Sequence, residues 1–194
     1  MIAKKHITGI VLAGGKSSRM GCDKGFLNFN NKPMVQYSID ALNPLVTKII
    51  IVSNNTNYDT LGHKRITDSF TDAGPVAGIY SGLQASTTEY NLVLSCDIPL
   101  ITTKVLQKLV NAHDGVSEVI QAVSHGKAMP LVALYKTTIK DTLHGLLLEN
   151  EKRLHVAVAS CRFKNVILNV TDENSTTNIN TMVEFKTLTH AYNH

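Results

Sequence analysis

Two adjacent glycines and three cations in one short stretch carry the strongest chemical signal in this sequence. The apolar run Ile7–Leu12 empties into Ala13-Gly14-Gly15, and Lys16, Arg19 and Lys24 follow. Glycines at the end of a strand let backbone N–H groups approach an anion with no Cβ in the way. Full cations beside those dipoles suit a triphosphate, whose charge needs both. The stretch reads as the phosphate-handling loop of a nucleotide-dependent enzyme. A glycine-rich surface turn with solvated charges is the plain alternative.

Two better-known phosphate loops do not fit. Gly15-Lys16-Ser17 could end a G-x-x-x-x-G-K-[ST] motif, but its first glycine would fall on Ile10, and Gly9 is one residue early. The adjacent pair Gly14-Gly15 does not match G-x-G-x-x-G. Farther along, Asp97 follows a second apolar run, carries a hard oxygen and precedes Ile98-Pro99, which fixes the turn. Such a carboxylate can hold Mg²⁺, which takes one or two protein carboxylates and fills its shell with phosphate and water. A capping aspartate ahead of the helix near Thr102 is the structural alternative.

These residues need a scaffold, and the pattern supplies one. Strands are expected at Ile7–Leu12, Lys48–Val52, Leu92–Ser95, Glu118–Val123, Leu131–Tyr135 and Asn165–Val170. Helices are expected at Met34–Leu42, Val76–Gln84, Thr102–His113 and Ile139–Leu148, with Thr181-Met182-Val183-Glu184 as a capping box opening a last one. Alternation of this kind indicates an α/β, Rossmann-like domain, with a mostly parallel central sheet and helices on both faces. In such sheets ligands sit outside the carboxyl ends of the strands. The glycine loop, Ser53-Asn54-Asn55 and Ser95-Cys96-Asp97 each follow a strand, so all converge on one rim.

Composition narrows the field. A chain of 194 residues with 43% hydrophobic and 18% charged content is expected to fold as one domain over residues 1–194. The net charge of +4 is mild and scattered, and aromatics make up only 6% without any tryptophan, which disfavours a nucleic-acid partner. Cys22, Cys96 and Cys161 form no C-x-x-C and, with scattered histidines, no zinc framework. No secretory h-region or membrane-length apolar run is present, so no membrane partner and a cytoplasmic setting are expected. Cys22 has no base beside it and reads as a neutral filler.

The string L-A-G-G-x-S-x-R-M-G-x-D-K, here Leu12 to Lys24, resembles the signature of the molybdenum cofactor guanylyltransferases, the MobA-like branch of the nucleotidyltransferases. Thr67-Asp68-Ser69 with Gly74-Pro75-Val76-Ala77-Gly78, then Ser95-Cys96-Asp97-Ile98-Pro99, then Asn178-Ile179-Asn180-Thr181 agree in order, so the resemblance runs from about Ile7 to about Leu188. It implies a nucleotide-diphospho-sugar transferase-like fold. It also implies transfer of GMP from GTP to molybdenum-loaded molybdopterin, with release of pyrophosphate. Lys24, Arg19 and Asp97 would be catalytic, with Asp97 the Mg²⁺ ligand. Leu12, Ala13, Gly14, Gly15, Lys24, Asn54, Asp68 and Asp97 would bind nucleotide, with Asn55 beside Asn54 leaving the register open. Lys16 and Asp23 are secondary members of the loop, Asp23 as a group that orients Lys24 or Arg19. Arg153, Asn178 and Asn180 would lie on the acceptor side, although Arg153 could equally be an exposed basic helix end. A protein that delivers the labile cofactor and a molybdoenzyme that receives the product are the implied partners.

The acceptor half departs from the family. Met129-Pro130 stands where a His-Pro pair is common, and a methionine cannot hydrogen-bond a pterin as an imidazole can. Asn150 stands where a glycine is usual. The related cytidylyltransferases carry L-A-A-G in place of Leu12-Ala13-Gly14-Gly15, so Gly14 favours GTP over CTP. Cytidylyl transfer, transfer to a sugar phosphate, and a nucleotide-binding accessory module without transfer activity are the alternatives.

Overall fold

The computed structural model describes residues 2–14, 23–70 and 73–192. Gly15, Lys16, Arg19 and Cys22 lie outside the described residues. The strands are β1 (Ile7–Leu12), β2 (Asn28–Phe29), β3 (Lys32–Pro33), β4 (Lys48–Val52), β5 (Lys64–Ile66), β6 (Tyr90–Ser95), β7 (Val119–Ser124), β8 (Lys127–Lys136) and β9 (Phe163–Ile167). β2 and β3 form a short antiparallel ribbon, and the other strands form one sheet in the order β5-β4-β1-β6-β8-β7-β9. β8 runs against its neighbours and every other pairing is parallel.

The central strands divide their side chains between two cores. Val11, Ile49, Ile51, Leu92 and Leu94 face α1 (Met34–Leu42) and α3 (Thr103–Asn111). Ile10, Leu12, Val52 and Val93 face α2 (Gly74–Ala85), α4 (Lys140–Leu148) and α5 (Leu154–Ala159). Burial on both faces is why β1, β4 and β6 read as continuous apolar runs. Each fully buried Val, Leu or Ile contributes about 1.5–3 kcal/mol, so the middle of the sheet is a rigid platform for whatever its rim carries.

Several boundaries differ from expectation, for local reasons. α2 begins at Gly74, because Pro75 lacks an N–H and suits the first helical turn. Thr102 precedes α3 as its cap, its side chain accepting from the Val105 N–H. The late strand ends at Ile167 rather than Val170, since Asn169 caps the short helix α6 (Val170–Glu173) by accepting from the Asp172 N–H. The last helix, α7 (Met182–Tyr192), opens on the expected capping box: Glu184 N–H donates to Thr181 Oγ1, and Glu184 Oε2 accepts from the Asn180 and Thr181 amides.

Candidate active site

β1 and β6 are neighbours, and the chain leads on to β4 on one flank after β1 and to β7 on the other flank after β6, so a crevice opens at their carboxyl ends. Ala13 N–H donates to Val52 O at 3.0 Å and Cys96 N–H donates to Leu12 O at 3.1 Å, which ties all three strand ends together. A cleft of about 730 Å³ lies there, lined by Leu12 to Gly14, Ser53 to Asn55, Asp68, the start of α2, Ser95, Asp97 and Leu131. The three segments that the sequence directs to one rim therefore meet in one cleft.

Asp97 sits half-buried at the end of β6, and its backbone carbonyl accepts from Ile179 N–H at 2.8 Å. That bond brings the Asn178–Asn180 segment to the cleft, with Ile179 buried and both asparagines exposed. Lys24 Nζ donates to Asn180 Oδ1 at 3.1 Å and stands 3.9 Å from Asp97 Oδ2. Asp97 Oδ1 is buried and has no hydrogen-bond partner. A desolvated carboxylate oxygen without a donor is costly unless a cation meets it, and such an oxygen suits a hard divalent ion. Among the described residues no cluster of three or more His, Cys, Asp or Glu side chains forms a metal cage. Only a metal that completes its shell with phosphate and water fits such a donor set.

Asp23 is the fixed end of the glycine loop. Its Oδ1 accepts from Gly25 N–H at 3.0 Å and from the Tyr58 hydroxyl at 2.6 Å, and its Oδ2 accepts from Asn55 Nδ2 at 2.8 Å. Asn55 also accepts from Asn57 N–H, capping the 3-10 helix Thr56–Leu61. With both amide atoms of Asn55 engaged, Asn54 is the asparagine left exposed in the cleft, its Oδ1 accepting from Asp68 N–H at 3.2 Å. Asp68 Oδ1 accepts from Phe70 N–H and from Ser81 Oγ, and burial raises its carboxyl above the usual aspartate range. Burial, with Asp97 and Asp23 adding to it, pushes the Cys96 thiol far up and keeps it neutral.

The glycines differ in purpose. A Cβ on Gly14 would meet only Val52 O, at 3.9 Å, so protein packing does not require glycine there. Gly74 has φ +69°, and a Cβ on it would lie 3.9 Å from Lys152 O, which sets the Asn150–Arg153 segment beside the mouth of the cleft. Asn150 has φ +59°, a left-handed conformation that asparagine tolerates better than most residues, so it stands in for glycine at a smaller backbone cost than other side chains would. Arg153 is the N-cap residue of α5, and its exposed guanidinium pairs with Glu151.

Leu131 is a cleft residue that sequence reasoning missed. The β7–β8 register jumps from Gln121 opposite Ala133 to Ala122 opposite Met129, leaving Pro130, Leu131 and Val132 as a bulge. The Tyr135 hydroxyl donates to Pro130 O at 2.7 Å across that bulge, and Leu131 turns toward the cleft. Met129 is half-buried and packs against the core on the α1 and α3 face. The proline inside a strand was the available signal, because proline in a sheet marks an edge or a bulge.

A family model for the MobA-like NTP transferase domain matches residues 9–177. A Flavobacterium johnsoniae protein named "Probable molybdenum cofactor guanylyltransferase" is 35% identical over 184 residues, covering 94% of this chain and 96% of its own. The Shewanella putrefaciens molybdenum cofactor guanylyltransferase is 30% identical over 185 residues, covering 92% of this chain and 94% of its own. Among solved structures, molybdopterin-guanine dinucleotide biosynthesis protein A from Archaeoglobus fulgidus shares the fold, with a TM-score of 0.80 at 20% identity over 95% of this chain and 97% of that one. With the glycine loop, the Asp97 strand end and most of the chain inside the matched span, this protein belongs to the MobA-like NTP transferase domain family.

Proposed function

We propose that this chain transfers GMP from GTP to the phosphate of molybdenum-loaded molybdopterin, giving the guanine dinucleotide cofactor and pyrophosphate. The observation that carries this reading is Lys24 standing 3.9 Å from Asp97 where β1 and β6 end. A phosphate monoester has its second pKa near about 6 and is largely ionised at neutral pH, so the attacking oxygen needs no strong base. The site has to align two anions and offset the charge that separates them. Lys24, near Asp97 and Asn180, would meet the charge that develops on the leaving pyrophosphate. Leu12, Ala13 and Gly14 offer backbone groups to the nucleotide, and Asn54 and Asp68, which line the same cleft, offer it side chains. Gly15 and Arg19 take their phosphate roles from the motif.

The unpartnered Asp97 Oδ1 fits Mg²⁺ as the divalent ion. When bound, Mg²⁺ would polarise phosphate oxygens and offset their charge. Space at Gly14 with no protein atom demanding it supports a purine and hence GTP. Asn178, Asn180 and Arg153 border the acceptor side, Arg153 after leaving Glu151. No helix among the described residues is long and apolar enough to cross a membrane, and a cytoplasmic enzyme handing its product to molybdoenzymes fits that. Mass analysis of the product made from GTP and CTP, each with molybdenum-loaded molybdopterin, tests the reading. A guanine dinucleotide is expected. A cytosine dinucleotide alone would move the chain to the cytidylyl branch.

A further inference from the structure

Tyr58 is fully buried in a stretch that is otherwise polar and mostly exposed, Ser53 to Thr60. A buried tyrosine hydroxyl needs a partner, and a backbone carbonyl would serve. Here the partner is Asp23, the residue before Lys24, at 2.6 Å. The Tyr58 ring packs on Phe26 with centroids 4.5 Å apart, so it touches the chain on both sides of Lys24. Burial, with Cys96 and Asp23 adding to it, pushes the Tyr58 hydroxyl far up, and it remains a donor at any working pH.

Gly25 records the same constraint. A Cβ there would fall 2.1 Å from the Tyr58 hydroxyl, so the turn Lys24–Phe26 closes directly over that oxygen. Asp23 on one side and Gly25 with Phe26 on the other leave Lys24 little freedom but its own side chain. Its ammonium then reaches Asn180 at 3.1 Å and Asp97 at 3.9 Å.

We propose that Tyr58 is a positioning residue for nucleotidyl transfer: its hydroxyl, bound to Asp23, holds the end of the glycine loop so that Lys24 faces Asp97. This rests on the transfer reading above. The test is Tyr58→Phe, which keeps the ring, alone and combined with Lys24→Ala. Loss of one hydrogen bond to a carboxylate should lower kcat roughly tenfold while KM for GTP moves less than about threefold. In the Lys24→Ala background, Tyr58→Phe should change kcat by less than about twofold, since its effect passes through the lysine. A full, multiplicative loss in that background would make Tyr58 a packing residue and overturn the proposal. Acylation of Lys24 by an amine-reactive ester, followed by mass spectrometry, needs no turnover. It should run several-fold faster in Tyr58→Phe, with the Lys32 rate unchanged. Equal Lys24 rates would overturn the placement even if the acceptor were another phosphate. Silence of the wild-type chain with GTP would instead sink the transfer reading and leave the labelling result to decide Tyr58.

Discussion

Gly25→Ala gives the sharpest structural test of how the site is held. The new Cβ would sit 2.1 Å from the Tyr58 hydroxyl, 3.0 Å from Cζ and 3.2 Å from Cε1. Ordinary contacts lie near about 3.5 Å, so the ring tip has to retreat by more than about 1 Å. Tyr58 is fully buried and cannot swing into solvent, so its 2.6 Å bond to Asp23 breaks. A lost hydrogen bond to a charged group costs about 1.5–3 kcal/mol, and overpacking adds about 1–3 kcal/mol. Together these come to about 2.5–6 kcal/mol, a large share of the about 5–15 kcal/mol that a domain has. At about 2–4 °C per kcal/mol, the melting temperature followed by circular dichroism should drop by about 5–24 °C. In a Tyr58→Phe background the first contact becomes Cζ at 3.0 Å, so the alanine should cost at least about 1 kcal/mol less there. A single variant melting within about 2 °C of the parent would refute the packing on which this rests.

Three further outcomes are expected. Gly14→Ala should leave the melting temperature unchanged, because its Cβ meets only Val52 O at 3.9 Å. It should also cut kcat/KM for GTP by about tenfold or more relative to CTP; a lower melting temperature with unchanged preference would make Gly14 a packing glycine. Gly82→Ala puts a Cβ 2.7 Å from Ile10 Cγ2, and the about 1–3 kcal/mol of overpacking exceeds the about 1 kcal/mol of helix propensity gained. Gly78→Ala meets the flexible end of Leu12 at 3.3 Å and should be near neutral, a contrast that urea denaturation of both variants measures. Burial raises the Asp68 carboxyl, and only its ionised form accepts hydrogen bonds from guanine on both oxygens. GTP affinity should therefore weaken as pH falls, starting above the range of an ordinary aspartate. Asp68→Asn should bind weakly without that acid limb, and an unchanged limb in calorimetry would remove Asp68 from base recognition.

How far the sequence could be read follows from where each residue's partners lie. β1, β4 and β6 were legible because burial on both faces writes itself as an unbroken apolar run. β9 is an edge strand with alternating exposed and half-buried residues, so its boundaries blurred into the helix capped by Asn169. α5, Leu154–Ala159, escaped notice because a six-residue helix shows too little of its period. In the cleft, Asp97, Asn54 and Asp68 were legible from their places after strands and in the family motifs. Tyr58 was not, since its bond to Asp23 joins residues 35 apart through a 3-10 helix without an apolar pattern. Leu131 was hidden by a register jump that only the paired strand reveals. Asp23, read from sequence as an orienting group, gained its physical content only when its three hydrogen-bond donors were in place.

The central claim is that the cleft at the ends of β1 and β6 joins GMP to a pterin phosphate. Pyrophosphate release is its most direct measure, followed with Mg²⁺ and molybdenum-loaded molybdopterin and with GTP, CTP, ATP and UTP in parallel. Release with GTP, dependent on the acceptor and abolished in a folded Asp97→Ala variant, is the expected result. Release by Asp97→Ala at the wild-type rate, or with every nucleotide except GTP, would contradict it.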